Sequence, residues 1–403
     1  MSTLKVNAIR GTGASSDAIS VNSTDGTCTV KATNNLSNRN LIINGAMQVA
    51  QRGTTHGESG YRTVDRWQMS AGGASAALTQ AQHALTSSDT GPWEKGFRHS
   101  YHITNAGQTG PDAGDFLELY QYIEDQNISQ SGWDYASSSS YITISFWVKS
   151  SVSQKFYGFL YTNQAGAGDS KMYSFTIDNG SGGNLAANTW TKITHKIPGD
   201  SSLTFNNDNT NGLAVGIFPF DGTDYTTSGH SLNTWAAWDS TNKLPDNTST
   251  WWTTSNATFE FTGVQLEVGD VATDFEHRSY ADELQRCKRY YYKLGGGSYL
   301  MANAHAMKAT SYRIKGYQTH HPEMRTGPTV SSNGSGGFAT QSGDSSLNNT
   351  MVLEAIWTGT NQPTNTFIDW SPASGTVSGD EGRAVVLYTN NNQSQTMEFD
   401  AEL

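Results

Sequence analysis

Between Phe259 and Gly269 apolar residues alternate with polar ones, at 259 and 261 and then at 264, 266 and 268. Alternation with period two puts one set of side chains on one face of a half-buried strand. The parity changes at Gly263, and a change of parity at a glycine marks a β-bulge. A short helix is expected next, from Tyr280 to Leu294. Ser279 is placed to cap it, with Asp282 three residues on as a weak capping-box partner. Tyr280, Leu284, Cys287 and Tyr291 fall on one helical stripe, and Gly295-Gly296-Gly297 ends it. The strand thus closes one β body, and the helix leads to another.

Upstream, the pattern predicts about eight strands with polar turns between them. They begin with Asp65–Met69, Phe97–Ile103 and Phe116–Ile123. The clearest is 141–149, where Ile142, Ile144, Phe146 and Val148 share one face and Tyr141, Thr143, Ser145 and Trp147 the other. Phe156–Tyr161 sets Tyr157, Phe159 and Tyr161 together. Trp190–Ile197, Leu213–Phe220 and Phe259–Val268 complete the set, a jelly-roll count. The segment 234–253 reads as a polar loop holding Trp235, Trp238, Trp251 and Trp252. Rings in such a loop either pack beneath it or stand ready to stack on a partner.

Downstream of the glycine run, 299–317, 350–357, 383–388 and 396–403 read as strands of a second, smaller β-sandwich. His320–Arg325 forms a turn, and 331–346 a Gly/Ser-rich loop. The last stretch alternates Met397, Phe399, Ala401 and Leu403 against Glu398, Asp400 and Glu402, so it is expected to pair in a sheet. Residues 1–39 are poor in core. Ala18–Val21 and Cys28–Val30 predict a hairpin across Thr24-Asp25-Gly26, and a lone hairpin needs a partner to be stable. The segment reads as an extended attachment and trimerisation arm, or else as a frayed terminus. The expected organisation is therefore mainly β: arm 1–39, jelly roll 40–279, linker helix and glycine hinge 280–297, and C-terminal sandwich 298–403.

Composition excludes several functions. The chain carries 11 Trp, 18 Tyr and 15 Phe among 403 residues, which excludes disorder of the usual aromatic-poor kind. A net charge of −11 opposes nucleic acid and anionic membrane as partners. No apolar run is long enough to span a bilayer, and the first residues lack an apolar signal core. A product of the cytoplasm is expected. Cys28 and Cys287 build neither a disulfide framework nor a thiolate metal pair.

Catalytic signatures are missing. There is no G-x-S-x-G, no P-loop and no H-E-x-x-H. His99 and His102 lie three apart on a strand, so they face opposite sides and cannot share a metal; His320 and His321 have the same problem. Asp112, Asp115, Glu118, Glu124 and Asp125 are the carboxylates from which a glycosidase pair would have to come, and solvated surface charge is the plainer reading. The aromatics remain. Sugars offer C–H faces that stack on rings, and hydroxyls that bond Asn, Asp and Gln. Trp147, Tyr157, Tyr161, Trp235, Trp238, Trp251 and Trp252 are the candidate glycan platform, with burial in the sandwich or at a subunit contact as the competing reading for each.

Two stretches carry a resemblance. Asn40-Leu41-Ile42-Ile43-Asn44-Gly45-Ala46-Met47-Gln48-Val49-Ala50-Gln51-Arg52-Gly53 with Asp65-Arg66-Trp67 is one. Phe261-Thr262-Gly263-Val264-Gln265-Leu266-Glu267-Val268-Gly269, with Phe275–Tyr280 and Cys287–Tyr291, is the other. Together they resemble tail-fibre-like structural proteins of bacterial viruses, over residues 40–292. The resemblance implies a carbohydrate-binding-module-like jelly roll in a non-enzymatic virion protein. Such a protein is made in the host cytoplasm, is homotrimeric, touches other virion proteins through its arm, and meets cell-surface glycan. It also implies a structural calcium ion, with Asp65 and Glu267 as candidate ligands; no other cofactor is expected. A capsid or collar decoration protein and a polysaccharide depolymerase are the rival readings.

Overall fold

Two six-stranded antiparallel sheets face each other across one aromatic and aliphatic core. The structure, a computed structural model, describes residues 38–163 and 170–296 throughout. It also describes 6, 8–13, 17, 19–21, 24 and 28–30, and, beyond 296, residues 301–310, 313–333, 338–342, 345–346, 351–356, 362–372, 382, 384–389 and 394–403.

At the N-terminus β1 (Ala8–Ile9), β2 (Ile19–Val21) and β3 (Cys28–Val30) form a small sheet. Val21 pairs with Cys28 and Ile19 with Val30, as the expected hairpin requires. Asp25 and Gly26 of its turn lie outside the described residues.

The main sandwich is built from β4 (Thr55–His56), β5 (Gln68–Gly72), β6 (Leu78–Ala84), β7 (His99–Asn105), β8 (Phe116–Glu124), β9 (Tyr141–Ser150), β10 (Phe156–Thr162), β11 (Lys171–Ile177), β12 (Thr191–Pro198), β13 (Asn211–Asp221), β14 (Trp235–Ala237) and β15 (Ala257–Val268). One sheet runs β14-β11-β10-β13-β8-β5, and the other β12-β9-β15-β7-β6-β4. They are called the β10 sheet and the β9 sheet below. Phe156 and Phe259 meet edge to face between them at 4.9 Å.

Twelve strands replace the eight expected. Asp65 and Arg66 stand before the first long strand, with Arg66 at φ 72. The overlooked β6 turns a buried glutamine inward: Gln80 Oε1 accepts from the Tyr101 hydroxyl at 2.9 Å, so its apolar alternation is faint. The overlooked β11 does alternate, with Tyr173, Phe175 and Ile177 in the core. The bulge in β15 stands where the parity changed. Its pairing with β9 slips between Thr262 and Gln265, and Gly263 sits at φ +65. A side chain at Gly263 would lie 2.6 Å from the Phe97 ring.

The segment 234–253 is not an open loop. It contains β14 and, after a five-residue α1 (Asp125–Ser129) earlier in the chain, the one-turn helix α2 (Thr250–Thr253). Helix α3 (Tyr280–Lys288) starts as expected, with Ser279 Oγ accepting from the Asp282 N–H at 3.2 Å. It stops at Lys288 rather than Leu294. Tyr280 is exposed, and Glu283 and Cys287 are its buried residues. The tyrosines after it extend instead, because β16 (Tyr291–Gly295) finds a strand to pair with.

That partner is the alternating last strand. Among β17 (Met301–Thr310), β18 (Arg313–Thr319), β19 (Thr329–Asn333), β20 (Ala339–Ser342), β21 (Ser345–Ser346), β22 (Met351–Ile356), β23 (Asn365–Pro372), β24 (Ala384–Tyr388) and β25 (Thr396–Asp400), the sheet order β16-β25-β19 puts β25 in the centre. The rest form a seven-stranded sheet, β21-β20-β24-β17-β18-β23-β22. A second core, with Trp370, Phe338 and Phe399, lies between these sheets. Strands β19 to β21 occupy much of the stretch expected to be loop. Glu124 of the main sandwich accepts from Arg289 Nε at 2.7 Å and from the Tyr290 hydroxyl at 2.5 Å. Arg52 pairs with Asp400 at 2.9 Å.

Candidate functional site

The two stretches that carried the resemblance interlock. Leu41 N–H donates to Leu266 O at 2.9 Å, and Val264 N–H to Gly45 O at 3.0 Å. The Asn40 side chain bridges both sides, donating to Val264 O at 3.1 Å and accepting from Leu266 N–H at 3.0 Å. Asn44, at φ 58, holds Val49 and Asp65 through its amide. These polar residues are buried and spent on backbone groups. The motif therefore closes the sandwich, and the ligand-facing surfaces must be sought elsewhere.

The outer face of the β10 sheet gathers rings. Strand β10 points Tyr157, Phe159 and Tyr161 to one side, and β13 and β8 continue the rows. Tyr161 is opposite Ala214, which is opposite Tyr122; Phe159 is opposite Gly216, which is opposite Tyr120. The small residues on the central strand admit the rings, since a side chain at Gly216 would lie 2.6 Å from Phe218. Trp238 comes down from the 222–248 segment onto Tyr161, with centroids 4.3 Å apart. Phe159, Phe218, Tyr120 and Leu244 form the floor, while Tyr122, Tyr157, Tyr161 and Trp238 remain half-buried. Such rings keep part of their π-surface open for stacking.

Beside this floor, on the same outer face, lies a buried charge cluster. The Lys243 ammonium pairs with Glu118 and, at 3.2 Å, with Asp221. The Tyr120 hydroxyl donates to Glu118 at 2.5 Å. Burial, and then the neighbouring Glu118 charge, push the Asp221 carboxyl well up. The cluster anchors the covering segment, because Ser174 Oγ also donates to Lys243 O at 2.8 Å.

The seven predicted ring residues separate. Tyr157, Tyr161 and Trp238 belong to the β10 face. Trp235 is half-buried against the main core, its indole N–H donating to Pro198 O at 2.7 Å. Trp251 and Trp252 are fully buried, which corrects the platform. Helix α2 turns both into the sandwich, where Trp252 stacks on Phe220 at 4.9 Å. Their aromatic area is worth more in the core than in a polar loop. Trp147 lies on the opposite outer face, that of the β9 sheet. There it lines a cavity of about 620 Å³ with Lys192, Asp274, Phe275 and His277.

Asp112 is exposed, and the other carboxylate candidates are structurally engaged. Asp125 accepts from the N–H groups of Asn206 and Asn207, Asp115 from Asp112 N–H and the Trp252 indole, and Glu124 from Arg289 and Tyr290. Asp65 and Glu267 are each held by protein donors. Asp65 is buried, accepts from Gln51 N–H at 2.8 Å, and is pushed up to about 6 by burial. Glu267 accepts from Thr273 N–H and Oγ1 and from Gln265. His320 is buried and His321 exposed; His99 and His102 stand on opposite faces of β7, as parity dictates. Sequence reasoning missed that His102 meets residues of the strands on either side of it, because cross-strand neighbours have no fixed spacing along the chain.

No protein-family model and no curated protein matches the sequence. Among solved structures, the chain is similar to the enzymatically active domain of tailspike protein 4 of bacteriophage CBA120, at 12% identity and TM-score 0.28, over 57% of this chain and 21% of that one. It spans about a fifth of that tailspike chain. It is also similar to a family 11 carbohydrate-binding module from Clostridium thermocellum in complex with a mixed-linked tetrasaccharide, at 12% identity and TM-score 0.24, over 56% and 98% of the two chains. The N-terminal cellulose-binding domain of Cellulomonas fimi β-1,4-glucanase C gives 7% identity and TM-score 0.23, over 56% and 99%.

Proposed function

We propose that the protein is a non-enzymatic, tail-fibre-like structural component of a bacterial virion, which adsorbs to host-surface glycan through the outer face of its β10 sheet. The observation that carries the adsorption reading is the half-buried ring row of Tyr122, Tyr157, Tyr161 and Trp238 on a pre-packed floor. Rings locked against one another lose little freedom when a sugar stacks on them. The virion reading is supported by the paired resemblance of residues 40–53 and 261–291. In this reading three copies assemble, and the N-terminal arm holds neighbouring virion proteins.

Glycan arrays probed with the full chain test the site. Tyr161→Ala and Trp238→Ala are expected to weaken binding about tenfold each, while Trp147→Ala, on the other sheet, leaves it unchanged. Loss through Trp147→Ala alone overturns the site. Release of reducing ends from host polysaccharide overturns the non-enzymatic reading in favour of a depolymerase. Imaging of labelled particles separates a tail position from capsid or collar decoration.

A further inference from the structure

Strands β7 and β15 pair Glu260 with His102, and β6 lies on the far side of β7 with His83 opposite Ser100. All three side chains stand on the outer face of the β9 sheet. The His83 and His102 rings are 4.9 Å apart. His83 Nδ1 lies 3.1 Å from Glu260 Oε2, and His102 Nδ1 lies 3.4 Å from Oε1. One ligand atom from each of the three residues falls within 4.8 Å of the others.

We propose that His83, His102 and Glu260 form a binding site for a divalent transition-metal ion of the zinc class. Tetrahedral zinc with bonds of about 2.0–2.1 Å holds its donors about 3.3 Å apart; His83 stands 3.1 Å from one Glu260 oxygen and His102 3.4 Å from the other, near that spacing. Two imidazoles and one carboxylate are a donor set that zinc accepts, with the fourth position left to an outside ligand. His102 is prepared for the role. Its Nε2 lies 3.0 Å from Thr104 Oγ1; in the tautomer that donates there, Nδ1 carries a lone pair, and this buried nitrogen faces Glu260 Oε1 at 3.4 Å. The Glu260 carboxylate is nearly inaccessible, whereas the His83 side chain is 49% exposed, so the open position faces solvent on the His83 side.

The Lys149 ammonium, 3.0 Å from Glu260 Oε1, is the group that opposes a cation here. It is also held by Asp89 at 3.0 Å, which balances its charge. Ser100 Oγ donates to Oε2 at 2.8 Å and orients the carboxylate. The site is independent of the ring face, because it lies on the other sheet.

The test is zinc uptake by the full chain after stripping with chelator, read by elemental analysis and by titration calorimetry. One zinc per chain is expected. His83→Ala, which removes a half-exposed side chain, lowers the affinity at least about tenfold, and Glu260→Gln does the same. His56→Ala, outside the cluster, binds like wild type. Zinc also raises the unfolding temperature of wild type and of His56→Ala, but not of His83→Ala. A stripped chain that takes up no zinc, or a His83→Ala protein that binds it with unchanged affinity and stoichiometry, overturns the proposal.

Discussion

Val264 donates its N–H to the carbonyl oxygen of Gly45 at 3.0 Å, and its own carbonyl oxygen fills the space where a side chain at 45 would begin. A Cβ at Gly45 would stand 2.1 Å from that oxygen. The Val264 backbone cannot easily yield there, because the Asn40 side chain holds β15 at Val264 O and at Leu266 N–H. Gly45→Ala is therefore expected to destabilise the main sandwich by about 3 kcal/mol. Denaturant unfolding of the variant measures it; a loss under about 0.5 kcal/mol would mean that the two signature stretches are not locked by this contact.

Glu124 links the main sandwich to the residues that follow α3. Its oxygens take two hydrogen bonds from Arg289 and one from Tyr290. Burial pushes its carboxyl up, and the hydrogen bonds from Arg289 and Tyr290 more than offset this, so the net shift is downward. Because Arg289 keeps some access to water, Glu124→Ala is expected to cost about 2–3 kcal/mol, and Arg289→Ala to add little in the double variant. The sign with pH follows. A depressed folded value means that the clamp contributes above the ordinary glutamate range and fades as pH falls below it. Acid titration of wild type against Glu124→Ala reads that difference, and parallel curves would remove the clamp.

His320 supplies a second pH dependence, of the same direction but in a milder range. It is buried between the Tyr292 hydroxyl at 2.6 Å and Thr366 Oγ1 at 2.9 Å. Burial, then the charge of His321, lowers its value from 6.5 to about 4. The folded chain thus resists a proton that the unfolded chain accepts. Stability is full above pH 6.5 and declines as pH falls toward 4, by on the order of 3 kcal/mol. His320→Gln should flatten the unfolding curve between those limits, and an unchanged slope would show that His320 takes its proton freely.

Much of the fold was legible because its signals are local. The alternation of 259–268 and the glycine at the parity change predicted β15 and its bulge, since pleat direction is a property of neighbouring residues. Ser279 with Asp282 marked the start of α3 for the same reason, and the alternation of 396–403 marked the strand that became β25. The end of α3 was misplaced. Tyr291 fits a helical stripe in sequence, but a partner strand more than a hundred residues later drew it into a sheet.

The sequence by itself determined that the chain is mainly β, that Tyr157, Phe159 and Tyr161 share a face, and that ring area far exceeds what surface turns require. Only the tertiary structure decided which rings are covered. Trp238 and Trp252 sit in one stretch of similar composition, yet one rests half-open on a sheet and the other is sealed in the core. It also decided that His83, His102 and Glu260 meet. The reason is physical: a strand's pleat is set by its own residues, while burial and cross-strand contact depend on which distant segment packs against it.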